Sequence, residues 1–177
     1  AAVFDGPAPQ RPLGASRSIY VSKPSATDPD VAPAGHENLF VLVPVAAEAA
    51  IGHGNMYRER ASEQVERIAS DAIAQIEQWC GVEGLGERVV VKQTLGPADF
   101  AERYHAWSGG SIGPAHTLKQ SAFLRGSNKS RKLDNLYYAG ATTTPGVGVP
   151  MCLISAENVL KRLRGDTSSA PLAEGLP

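Results

Sequence analysis

The sequence predicts an α+β fold that ends in an α/β-like strand-loop-helix, and three observations predict it. Short β-branched and aromatic runs stand at residues 18–23, 39–47 and 88–94. A long stretch of helical period lies between residues 55 and 80. A strand-like run at 136–141 then passes through a glycine loop into a second helical pattern. With 177 residues and 42% hydrophobic content, the chain can bury one ordinary core or two modest layers that share it.

The elements follow in order. Residues 1–17 are rich in proline and glycine without periodicity, and read as an irregular leading segment. SIYVSK (18–23) and NLFVLVPV (38–45) read as two strands, paired antiparallel across a long turn-rich connection. Pro44 has no N–H for a ladder and marks a strand end or edge. In the helix at 55–80, Ala61, Val65, Ile68, Ala69, Ala72, Ile76 and Trp79 share one apolar face, and Gly81 supplies the stop. RVVVKQT (88–94) reads as a further strand. Gly96 and Pro97 then open a short helix that runs through Tyr104. The glycine-rich stretch 107–121 is too loose for regular structure and offers bare backbone to a ligand.

Several function classes are disfavoured by composition. A formal charge of −1 without a basic stripe argues against nucleic acid as a partner. The apolar stretch 39–47 is far shorter than the ~20 residues of a membrane-spanning helix. Cys80 and Cys152 lack metal-type spacing and read as buried free thiols of a reducing compartment. His36, His53, His105 and His116 are too scattered for a metal set, so no metal is expected. His116 reads as a surface histidine or one facing substrate. Ser108, Ser111 and Ser121 lack a nucleophile elbow. Arg125, Lys129, Arg131 and Lys132 form a basic cluster, read as a solvated loop or a contact for anionic headgroups.

The junction at 133–165 is the most informative stretch. LDNLYYAGA predicts a buried strand at 136–141, and TTTPGVGVP follows, with Gly146 and Gly148 free to take positive φ and Pro150 suited to a first helical turn. The helix pattern then presents Leu153, Ala156, Val159, Leu160 and Leu163 on one face. Lys161, Arg162 and Arg164 sit in its last turn, before Gly165. A strand, a glycine loop and a helix N-terminus together can meet an anion or an electron-rich group.

These residues carry a family resemblance. NLYYAGATTTPGVGVPMCLISAENVLKRL resembles the C-terminal flavin-contacting segment of the bacterial and fungal type of phytoene desaturase, a carotenoid-forming family related to flavin amine oxidases. The match runs through Asn135, Leu136, Tyr137, Gly140, Ala141, Thr143, Pro145, Gly146, Gly148, Pro150, Ser155 and Ala156. SIYVSKPSATDPDVAPAGHENLFVLVPV and DFAERYHAWSGGSIGPAHTLKQSAFLRG are similar to two earlier segments of that family, so the resemblance covers nearly the whole chain. Two positions depart from the pattern. Thr144 stands where many members have histidine and Met151 where many have glycine, which marks a subgroup with its own substrate.

The resemblance implies the C-terminal part of a two-domain FAD/NAD(P)-binding-like flavoprotein, because the family's N-terminal dinucleotide-binding turn is missing from these residues. On that reading residues 18–132 are part of a substrate-binding domain, 133–165 the closing piece of the FAD-binding domain, and 166–177 a disordered tail. It implies an FAD-dependent oxidoreductase that desaturates phytoene or a similar apolar precursor in carotenoid biosynthesis. This part alone is expected to be inactive and to hold no FAD. Gly140, Ala141, Gly148, Val149, Pro150 and Met151 are implied to contact the cofactor; no catalytic residue is assigned. Ile19, Val21, Phe40, Leu42 and Val43 are candidates to line a polyene tunnel or, alternatively, ordinary core. The full-length enzyme is expected in the cytoplasm, peripheral to the membrane. The alternatives are a related carotenoid oxidase or polyene saturase, or a non-catalytic α+β binding module.

Overall fold

The computed structural model of the chain describes residues 18–115, 117–121 and 124–172. The leading segment 1–17, His116 and the last five positions of the expected tail lie outside the described residues. The fold is α+β, with a two-stranded sheet and three α-helices among the described residues. Chain contacts divide it into two compact units, one ending at Gly110 and the other beginning at Ser111.

In the first unit, β1 (Tyr20–Ser22) and β2 (Phe40–Leu42) pair antiparallel with Val21 opposite Val41, as the two runs predicted. Tyr20 and Phe40 meet edge-on, their ring centroids 6.3 Å apart. Just past β2 the chain enters the core, where Val43 and Ala61 pack against Ile51, Val65 and Ile68. Helix α1 (Glu63–Cys80) buries Val65, Ile68, Ala72 and Ile76, and Gly81 closes it in the left-handed conformation. Trp79, expected on the same face, is 56% exposed, and Cys80 is exposed rather than buried. Both follow the frayed end of the buried stripe, which stops at Ile76.

Helix α1 begins eight residues later than the periodicity predicted, and Asn55 gives the reason. Its Oδ1 accepts from the Thr94 N–H at 2.7 Å, its Nδ2 donates to the Lys92 carbonyl at 2.9 Å, and its own N–H donates to Thr94 Oγ1 at 3.0 Å. Those bonds, with the Met56 N–H donating to the Thr94 carbonyl at 3.1 Å, hold residues 55 and 56 to the 92–94 segment rather than to the start of a helix. They also account for a second correction, since residues 88–94 form no strand. The segment is met by the Asn55 amide and a single backbone bond, from Met56 to Thr94, instead of a ladder, and Val90 and Val91 are 77% and 76% exposed. Helix α2 (Pro97–Tyr104) stands where it was expected. It opens with the Gly96 N–H donating back to Asp99 Oδ2 at 2.8 Å.

In the second unit, α3 (Val149–Arg164) runs from Gly148 to a left-handed Gly165, again as predicted. The expected buried strand at 136–141 is absent. Residues 126–130 and 136–144 are instead stitched by two isolated bridges, Lys129 with Tyr137 and Gly126 with Thr143. Leu136 and Tyr138 are exposed.

Candidate functional site

The junction between residues 136 and 151 is built around three glycines with positive φ. Gly140 (φ 113°), Gly146 (φ 152°) and Gly148 (φ 120°) adopt backbone that L-residues rarely take. A Cβ placed on Gly140 or Gly146 would meet nothing within 4 Å beyond the chain neighbours, although Gly146 is buried and Gly140 only half-buried. Between them the Thr144–Pro145 peptide is cis. Gly148 is the N-cap of α3, and its carbonyl accepts from the Cys152 N–H at 2.9 Å. In that first turn Val149 and Met151 carry N–H groups with no intrahelical acceptor, whereas Pro150 has none to offer. Val149 is 78% exposed, Pro150 is exposed and Met151 is half-buried. The structure therefore brings Gly140, Ala141, Gly148, Val149, Pro150 and Met151 into one unit, with two outward N–H donors at the positive end of a helix dipole.

Beneath the loop lies a buried polar network. Asn128 is 2% exposed and Ser155 is fully buried. Asn128 Nδ2 stands 3.0 Å from Ser155 Oγ, 3.0 Å from the Thr144 carbonyl, 3.1 Å from the Tyr138 carbonyl and 3.2 Å from Thr143 Oγ1. The Gly140 N–H donates to Ser155 Oγ at 3.0 Å. Arg125, also buried, directs Nε at the Thr143 carbonyl at 3.2 Å and Nη2 at the Ala141 carbonyl. No buried side-chain nitrogen or oxygen lacks a partner among the described residues. Arg125 thus belongs to the framework of the loop, and the exposed part of the basic cluster shrinks to Arg131 and Lys132, beside a half-buried Lys129 whose Nζ is 5.9 Å from the Tyr137 ring centre.

With this geometry in view, comparison with known proteins identifies the relatives. A carotenoid 3,4-desaturase of Haloarcula japonica is 44% identical over 165 residues, covering 93% of this chain and 30% of the relative. The 4,4'-diapophytoene desaturases (4,4'-diaponeurosporene-forming) of Staphylococcus aureus strains Newman and USA300 are each 38% identical over 141 residues, covering 79% of this chain and 27% of the relative. No family model matches the chain. By sequence, the chain belongs to the carotenoid desaturase family. It spans less than a third of the length of these relatives.

Within this chain, sequence reading found the glycines and the helix start because their backbone demands are written in residue type. Asn128 has no role in the sequence reading, Arg125 reads there only as part of a basic cluster, a solvated loop or a contact for anionic headgroups, and no local signal marks either. Their partners lie 10 to 27 and 16 to 18 residues away. Ser155 and Thr143 belonged to the family pattern without an assigned role.

The first unit has its own buried polar centre. Asp99, 2% exposed, accepts from the N–H groups of Gly54 at 2.6 Å and Gly96 at 2.8 Å, and from His53 Nδ1 at 3.2 Å. Burial pushes its carboxyl up, but the Gly96, Gly54 and His53 bonds outweigh that effect and hold it below the ordinary 3.8. Around it the backbone is close-packed, since a Cβ on Gly54 would stand 1.9 Å from the Thr94 carbonyl oxygen. Of the tunnel candidates, Val43 is half-buried against the core, while Val21, Phe40 and Leu42 are exposed. No helix is long and apolar enough to cross a membrane among the described residues.

Proposed function

We propose that the chain is the C-terminal part of an FAD-dependent desaturase of carotenoid biosynthesis and that its glycine junction supports the flavin. The observation that carries this reading is the 44% identity to a carotenoid 3,4-desaturase over 93% of the chain. The junction has the chemistry such a role needs. The bare face of Gly140 leaves room for a flat group against the backbone, and the first turn of α3 offers N–H donors.

FAD, when bound, supplies the two-electron acceptor for hydrogen removal from a polyene. The residues of this chain do the holding. Val149 and Met151 present N–H groups to an acceptor-rich edge, and the dipole of α3 favours negative charge there. Gly140 and Ala141 let the cofactor approach closely. A carotenoid precursor has no polar handle, so it is bound by apolar walls, to which Val21, Phe40 and Leu42 contribute exposed surface. The full-length enzyme draws that substrate from the cytoplasmic membrane as a peripheral protein, with Lys129, Arg131 and Lys132 toward anionic headgroups.

The test is to express the full-length gene with membranes that carry a colourless C30 or C40 precursor. A longer-wavelength polyene spectrum is the expected result. Formation of oxygenated or more saturated products instead would assign the chain to a carotenoid oxidase or saturase, a possibility that the departures at Thr144 and Met151 make worth testing. The purified 177-residue chain is expected to show little or no flavin absorbance, and stoichiometric FAD in it would overturn its reading as part of a larger site.

A further inference from the structure

The hydroxyls of Ser155 and Thr143 stand 2.9 Å apart, and Thr143 Oγ1 donates to the Gly140 carbonyl at 3.1 Å. With the Gly140 N–H donating to Ser155 Oγ at 3.0 Å, one proton arrangement satisfies every group. The Ser155 hydroxyl donates to Thr143 Oγ1, so a circuit leaves Gly140 at its nitrogen and returns to its own oxygen. Asn128 locks the ring from below through its 3.0 Å contact with Ser155 Oγ. We propose that Ser155 and Thr143 are positioning residues whose hydroxyl circuit fixes Gly140 to α3 and thereby sets the angle between the glycine loop and the outward N–H donors of Val149 and Met151. This rests on the reading of the junction as a flavin support.

Two features favour positioning over simple packing. Ser155 is fully buried on a helix whose leucines at 153 and 163 are 69% and 59% exposed and whose Val159 and Leu160 are only half-buried, so directional bonds supply the fully buried part of the seat of α3. Such bonds admit one register, where apolar contact would tolerate sliding. The circuit also changes what Gly140 does. Both of its polar groups are engaged within the protein, so it gives a ligand only its bare face, and the hydrogen bonds fall to Val149 and Met151.

The test compares the full-length protein with its Thr143→Val, Thr143→Ser and Ser155→Ala variants. Amide hydrogen exchange of the 137–145 peptide is followed without added FAD, and FAD affinity is measured by titration. Thr143→Val and Ser155→Ala are expected to speed exchange by about tenfold and to weaken FAD binding by about tenfold, while Thr143→Ser, which keeps the hydroxyl, stays within about twofold of the parent. Parent-like exchange in Thr143→Val overturns the circuit. Faster exchange with parent-like FAD affinity overturns the positioning role. If the parent itself takes up no FAD, the flavin reading fails, and exchange in Thr143→Val alone decides the circuit. Should Ser155→Ala fail to fold, the volume-conserving Thr143→Val carries the comparison.

Discussion

In α1 the residues withdrawn from solvent are Val65, Ile68, Ala72 and Ile76, whereas in α3, a helix of nearly the same length, they are Ser155 and Lys161. The first helix has an apolar bed, Ile51 with Val43 and Ala61, and its hydrophobic stripe settles there. The second has a polar bed made of Asn128 and Thr143, and leaves Leu153 and Leu163 largely outside. An apolar contact tolerates small shifts of one surface over another, while a hydrogen-bond circuit does not. The unit that carries the candidate site is the one held by direction.

This contrast can be broken or sharpened by substitution, and the largest effect is expected in the apolar unit. Ile68→Ala removes buried methyls from a small core and should cost about 2–5 kcal/mol in urea unfolding; a loss below about 1 kcal/mol would show that the first unit does not depend on its apolar bed. Asp99→Asn tests whether that unit also has a polar dependence, with an expected loss of about 1.5–3 kcal/mol from bonds to a charged acceptor. The pH dependence follows from the lowered carboxyl. On acidification the unfolded chain takes up the proton first, so the stabilisation is present above about pH 3.8 and fades as the pH falls below that toward the folded value. A stability profile of Asp99→Asn should lack this acid-side slope.

In the second unit, Gly140→Ala places a side chain in open space but at φ 113°, so backbone strain alone should cost about 1–2 kcal/mol. Unchanged stability would mean that the residue can turn to an ordinary conformation despite its two bonds. The smallest effect is predicted for Leu153→Ala. Leu153 heads the apolar pattern of α3 but is 69% exposed, and urea unfolding should move by no more than about 0.5 kcal/mol. A loss like that of Ile68→Ala would erase the distinction between the two helices.

The same contrast explains what could be read from the sequence. The β1–β2 pairing, the buried stripe of α1 through Ile76, and the ends of α2 and α3 follow from local rules of alternation, helical period, proline and glycine. The strands expected at 88–94 and 136–141 did not form. A β-rich run needs a partner ladder, and among the described residues Asn55 in one case and the 126–130 segment in the other supply something shorter. For the junction, the glycines and Pro150 were legible because each states a backbone requirement, and Met151 only through its place in the helical turn that Pro150 opens. Arg125, Asn128 and Ser155 act through distant oxygens, and a polar side chain does not announce in sequence that it will be buried.

Lys161 extends this logic past the end of α3. Its ammonium is buried, donates to the Ser168 carbonyl at 2.6 Å and to the Ala170 carbonyl, and lies 3.8 Å from Asp166. The Leu172 N–H in turn donates to Glu157 Oε1 at 2.7 Å. Residues 166–172, expected as part of a loose tail, fold back as a lining for that charge. A protein shortened at Gly165 would keep every helical residue yet lose both carbonyls and the carboxylate that partner this ammonium, and the end of α3 would have to turn its charge to solvent instead.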